Sequence, residues 1–115
     1  MKISANISMD EYQDLTVETA IYPCACQSVA PAITYCVVAL CGEAGEVANA
    51  WKKYLRGGEA NLLGAERKIE EELGDVLWYV ARLADELGLS LGNIARANIL
   101  KLQDRATKGE IATHK

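Results

Sequence analysis

Apolar side chains recur along this chain at steps of three and four residues, the period of an amphipathic helix. Between Ala32 and Arg56 the apolar positions are Ile33, Val37, Leu40, Ala44, Val47, Trp51, Tyr54 and Leu55. They predict one long helix, ended by Gly57-Gly58. A second long helix is predicted from near Ala65, with Ile69, Leu73, Val76, Leu77, Val80, Leu83, Ala84 and Leu87 on one face and Gly88 as its stop. Ser90 caps a further helix running to about Lys108, whose apolar face is Leu91, Ile94, Ala95, Asn98 and Leu102. Ahead of these, Ser8 and Glu11 stand in capping-box register and predict a helix from Met9 to about Ala20. "YPCACQSVAP" breaks the period, and Pro31 suits the first turn of the helix that follows. The expectation is an all-α, four-helix bundle-type subunit with two long central antiparallel helices. It forms a single domain over residues 1–115, with a frayed tail from about 109.

Composition adds a limit and a direction. Half of the 115 residues are hydrophobic and none is Phe. A monomer of this size buries only about two thirds of its unfolded surface, so long amphipathic helices call for a partner copy. A homodimer or a homotetramer built as a dimer of dimers is expected. The formal net charge of −4 argues against a nucleic-acid polymer as the main partner, because that needs a basic surface. An acidic protein can still take a polyphosphate if a divalent cation stands between the two negative charges. The N-terminal "MKISANISMDEYQ" has no apolar run of secretory type. No segment looks close to the roughly 20 apolar residues of a membrane span. A cytoplasmic protein with no membrane partner is expected.

Cys24, Cys26, Cys36 and Cys41 match no common zinc spacing, and the one histidine, His114, lies in the tail. Cys36 and Cys41 read as small hydrophobes of a helix face. A thiol-dependent sensor through Cys24 and Cys26 is the minor alternative.

The acids carry more. "CGEAGEV" sets Glu43 and Glu46 three apart, and "ELGD" sets Glu72 and Asp75 three apart, with Asp75 interrupting an apolar stretch between Leu73 and Val76. Residues at i and i+3 are neighbours on a helix, about 5–6 Å between Cβ atoms. If the two long helices pack antiparallel through their apolar stripes, four carboxylates converge at a rim of the core. Such a cluster raises its own pKa values unless a cation neutralises it. Oxygen ligands without histidine suit Mg²⁺ and disfavour zinc or a di-iron bundle. The alternative is a solvated face of ordinary ion pairs, which is the reading taken for Glu66, Glu70 and Glu71 beside Arg67 and Lys68.

Two segments bring a resemblance. "LCGEAGEVANAWKK" and "EEELGDVLWYVARLADELGLSLGNIARANILKLQDR" resemble the MazG-like branch of the all-α nucleoside triphosphate pyrophosphohydrolases, over roughly Leu40 to Gly109. The family signature is E-x-x-E followed by E-x-x-D, and Glu43, Glu46, Glu72 and Asp75 match it in order. The resemblance implies Mg²⁺-dependent hydrolysis of a (deoxy)nucleoside triphosphate to monophosphate and pyrophosphate, with Mn²⁺ able to substitute. It implies metal binding by those four acids, with Glu43 or Glu46 as general base. Lys53, Asn98, Lys101 and Arg105 match positions where relatives hold polar or basic groups near the phosphates. Tyr79, one turn past Asp75, is placed to stack on a base or ribose; Trp51 is read as core. Many relatives carry a further glutamate where this chain has Gly42. Two alternatives stay open: hydrolysis of another pyrophosphate, such as phosphoribosyl-ATP or a guanosine alarmone, and a non-catalytic helical interaction module. Two cellular roles go with such an activity, house-cleaning of aberrant nucleotides and control of a nucleotide pool.

Overall fold

A computed structural model describes residues 3–57 and 62–109, and within them all regular structure is helical. The elements are α1 (Met9–Thr16), a 3-10 turn (Val17–Thr19), α2 (Ala30–Leu55), α3 (Leu62–Glu86) and α4 (Leu91–Thr107). The expected all-α architecture is the one found. Gly58, in the predicted end of α2, and the tail from 110 lie outside the described residues.

Helix boundaries follow local chemistry. The Ser8 hydroxyl accepts from the Glu11 N–H at 3.0 Å and the Glu11 carboxylate accepts from the Ser8 N–H at 3.1 Å, closing the capping box. α1 ends at Thr16, four residues short of expectation. The Thr16 hydroxyl donates to the Gln13 carbonyl at 2.6 Å and the Thr19 hydroxyl to the Thr16 carbonyl at 3.3 Å, and such local bonds compete with the helix ladder. At the end of α3, Gly88 adopts φ +72° while the Leu89 N–H reaches the Ala84 carbonyl at 2.8 Å. That is a Schellman closure, which favours glycine because it needs the left-handed region.

The long helices form an antiparallel hairpin: Tyr35 packs on Tyr79, and Glu43 further along α2 meets Glu72 and Asp75 earlier along α3. Small residues line their seam: Ala32, Cys36 and Ala50 of α2 and Ala65 of α3 are buried there, while the buried Ala81 lies beside Gln13 of α1. Steps of seven return to nearly the same helix face, so Cys36, Glu43 and Ala50 share one row, and Ala65, Glu72, Tyr79 and Glu86 share another.

α1 crosses one end of the hairpin and holds α4. Gln13 is buried there, donating to the Leu89 carbonyl at 2.8 Å and accepting from the Leu91 N–H at 2.9 Å. The Asp10 carboxylate accepts from the Ser90 hydroxyl and from the Gly92 N–H at 3.0 Å. It fills the space where a Cβ on Gly92 would stand, 2.9 Å away.

Several positions expected in the core are uncovered in one subunit. Val37, Trp51, Leu55, Leu73, Leu77, Ile94 and Leu102 are exposed, and Cys41 is exposed where Cys36 is buried. The reason is geometric: one hairpin covers one stripe per helix, and α4 is tied to α1 with only light contact to α3. The radius of gyration, 16.9 Å, exceeds the ~13 Å of a compact globule of this length. α2 also corrects the expectation about membrane spans, since it is long and apolar enough to cross one, at mean hydropathy 1.2. That property is shared with core helices, and α2 buries Ala32, Cys36 and Ala50 along its α3 side.

Candidate metal centre

The core-facing rows of α2 and α3 bring Glu43 and Glu72 together in the hairpin seam. Glu43 lies between the buried Cys36 and Ala50, and Glu72 is itself only 6% exposed. Asp75, one turn beyond Glu72, is exposed rather than interior, so Glu72 is the buried acid of that pair. Carboxylate oxygens of Glu43, Glu72 and Asp75 lie within 4.8 Å of one another. Glu46 is exposed and falls outside this group, although its charge acts on Glu43.

The electrostatics match crowded like charges. Burial first, then the charges of Asp75 and Glu72, a hydrogen bond with Glu72, and the Glu46 charge hold the Glu43 carboxyl above its ordinary range. One cation answers: Lys68 Nζ stands 3.2 Å from Glu72 Oε1, with the lysine half-exposed. The donor set is three hard carboxylates without histidine or thiolate. It suits an oxygen-seeking divalent cation, which would remove the repulsion that otherwise favours protonation.

Tyr12 of α1 was not singled out by pattern. Burial, then the Asp75 charge, pushes its hydroxyl above the ordinary phenol value. Nothing local marks it, since its proximity to Asp75 depends on how α1 crosses the hairpin.

Beyond Asp75 lies an aromatic pocket of about 350 Å³, lined by Thr19, Ile21, Tyr22, Pro23, Tyr35, Trp78 and Tyr79. Tyr22 and Tyr35 stack at 5.4 Å, and Trp78 meets Tyr79 edge-on at 4.9 Å. Burial, then Tyr35 and the Glu43 charge, lifts the Tyr79 hydroxyl to about 12. Tyr79 is one helical turn, ~6 Å of rise, past Asp75, so pocket and acids are neighbours on α3.

The other predicted positions are not gathered here. Lys53, Asn98 and Lys101 are exposed and Arg105 is half-buried. Among the described residues, none has a hydrogen bond or ion pair to the three acids. Trp51 is exposed and packs on Tyr54 at 5.1 Å, correcting its assignment to the core.

A second charged group escaped the sequence reading altogether. Arg82 and Glu86 are fully buried, with Arg82 Nη2 3.5 Å from Glu86 Oε2. The Glu86 carboxylate accepts from the Tyr22 hydroxyl, from the Cys26 N–H at 2.7 Å and from the Ser28 N–H at 2.9 Å. Arg82 also donates to the Tyr22 oxygen at 3.1 Å and pairs with Asp85 at 3.0 Å. The turn supplying those N–H groups holds Cys24, Cys26 and Ser28 at positive φ. All four cysteines are free. The only signal in the chain is that Arg82 and Glu86 are four apart, with Glu86 on the row of Glu72.

Fold and site together define an all-α subunit with an acidic seam beside an aromatic pocket. Residues 33–109 match the MazG nucleotide pyrophosphohydrolase domain. The chain is 42% identical over 106 residues to the Gene 37 protein of Mycobacterium phage L5, covering 90% of this chain and 92% of that protein. No solved structure matches. The chain belongs to the MazG nucleotide pyrophosphohydrolase family, a family of generally metal-dependent hydrolases.

Proposed function

We propose that this chain hydrolyses (deoxy)nucleoside triphosphates to the monophosphate and pyrophosphate, in a Mg²⁺-dependent reaction in which water attacks the α-phosphorus. The observation that carries the reading is the convergence of Glu43, Glu72 and Asp75 within 4.8 Å, in a chain of this family. A bound divalent cation, Mg²⁺ with Mn²⁺ as substitute, would neutralise phosphate oxygens and the leaving pyrophosphate. Glu43, Glu72 and Asp75 would hold it, with Glu46 at the exposed side of the set. Glu46 is not tied into the three-acid group, so it is the freer of the two catalytic candidates to accept the proton of the attacking water, while Glu43 holds and orients. Tyr79 and its aromatic neighbours seat the base by stacking.

Lys53, Asn98, Lys101 and Arg105 meet the phosphates in an assembled form. The uncovered apolar faces of α2, α3 and α4 favour a homodimer or homotetramer. The test is pyrophosphate release by metal-loaded protein across a panel of nucleotides. Equal yields of monophosphate and pyrophosphate are expected from at least one triphosphate. No pyrophosphate from any common nucleotide or its damaged form would sink the reading.

A further inference from the structure

We propose that Lys68 is a substrate-contact residue that exchanges partners. It holds Glu72 while the site lacks a metal ion, and moves to a phosphate oxygen of the triphosphate when the metal complex binds. This rests on the pyrophosphohydrolase reading above.

The geometry sets Lys68 beside the acids. Its ammonium stands 3.2 Å from Glu72 Oε1, and the lysine side chain is 51% exposed while that of Glu72 is 8% exposed. The ammonium is therefore on the solvent side of the buried acid. The charges of Glu71 on its own helix and Glu46 on α2 act on it as well. Among the described residues it is the one cation paired with the three-acid group.

A divalent cation held by the three acids draws on the Glu72 carboxylate and repels the ammonium paired with it. A half-exposed ion pair is surrendered cheaply. The released ammonium keeps three donors on a flexible four-carbon stem, anchored one turn from Glu72. The triphosphate arrives where the ammonium is left without a partner.

The experiment is calorimetry on the full chain, wild type against Lys68→Met and Lys68→Arg. One arm uses Mg²⁺ or Mn²⁺ alone; the other uses Mg²⁺ with a non-hydrolysable α,β-imido nucleoside triphosphate. Lys68→Met should bind the bare ion about three- to tenfold more tightly, since a unit charge near the ion is gone. The same variant should bind the metal–analogue complex about tenfold more weakly, and Lys68→Arg should recover most of that loss. A residue that merely steadies Glu72 would weaken both arms alike, and that result, or no change in either arm, overturns the proposal. Failure of wild type to bind the analogue with any base would overturn the pyrophosphohydrolase reading itself. Normal wild-type analogue binding that Lys68→Met leaves unchanged would overturn only the exchange.

Discussion

Helix α3 carries two buried glutamates on one row, Glu72 and Glu86, and the chain treats them in opposite ways. Glu86 is satisfied from within: Arg82, the Tyr22 hydroxyl and the N–H groups of Cys26 and Ser28 all meet it. Glu72 has one half-exposed lysine and two further acids beside it. Burial alone would push the Glu86 carboxyl up, yet the hydrogen bonds from Tyr22, Cys26 and Ser28 and the Arg82 charge hold it below its ordinary range. Glu43, in the other cluster, is held above. A chain able to neutralise one buried acid completely has left the other set incomplete. Under the proposed function, the contrast separates a charge used to build the fold from charges that would take an outside cation.

The comparison can be broken most forcefully at Arg82. Arg82→Leu should cost about 3–5 kcal/mol in urea unfolding, because it strands the Glu86 carboxylate without its cation. A cost below about 1 kcal/mol would show that the two acids are not treated differently. Asp75→Asn should do the reverse. Stoichiometric ion uptake and pyrophosphate release should fall by about a hundredfold or more, a loss of ~2.7 kcal/mol of binding or transition-state energy. Metal-free stability should stay within about 0.5 kcal/mol or rise, since a like charge is removed. A clear drop in metal-free stability would make Asp75 structural.

The smallest effect, and the sharpest in sign, is the pH dependence without metal. The folded pKa of Glu86 is depressed, so its contribution is present above the ordinary value of 4.5 and lost as pH falls through the lowered one. The folded pKa of Glu43 is raised, so its contribution is present below 4.5 and lost as pH rises through the raised one. Unfolding midpoints across the carboxylate range, in chelator, should therefore lose their acid-side slope in Glu86→Gln and their alkaline-side loss in Glu43→Gln. The same slope change in both variants would erase the distinction.

Much of this was legible in the chain because it depends on local chemistry. Gly57 and Gly88 stop helices through positive φ, Ser8 and Ser90 start them, and a period of three to four marks the stripes. The pairing of Glu43 with Glu72 and Asp75 was also within reach, since i, i+3 acids on two antiparallel stripes can meet only at the seam. Which acid of each pair faces inward was not. Three residues rotate a helix position by about 60° from the row, enough to leave Glu46 and Asp75 exposed while Glu43 and Glu72 turn in. Arg82 was invisible because its partner Tyr22 comes from a turn sixty residues earlier, and alone it reads as a surface charge. Apolar pattern likewise shows that Leu73 and Ile94 are built to be covered, but not by what.

Gly92 stands well along the chain from every acid of the seam, yet its missing methyl group leaves the room in which α1 is clamped. The Asp10 carboxylate occupies that space, and Asp10 and Gln13 together clamp α1 onto the start of α4. Between those two residues α1 carries Tyr12, whose hydroxyl feels the Asp75 charge. The clamp holds α1 on both sides of Tyr12, so the room left at Gly92 helps to fix the seat of the residue that brings α1 near Asp75. A glycine on α4 thereby bears on the surroundings of an acid on α3 that it does not touch.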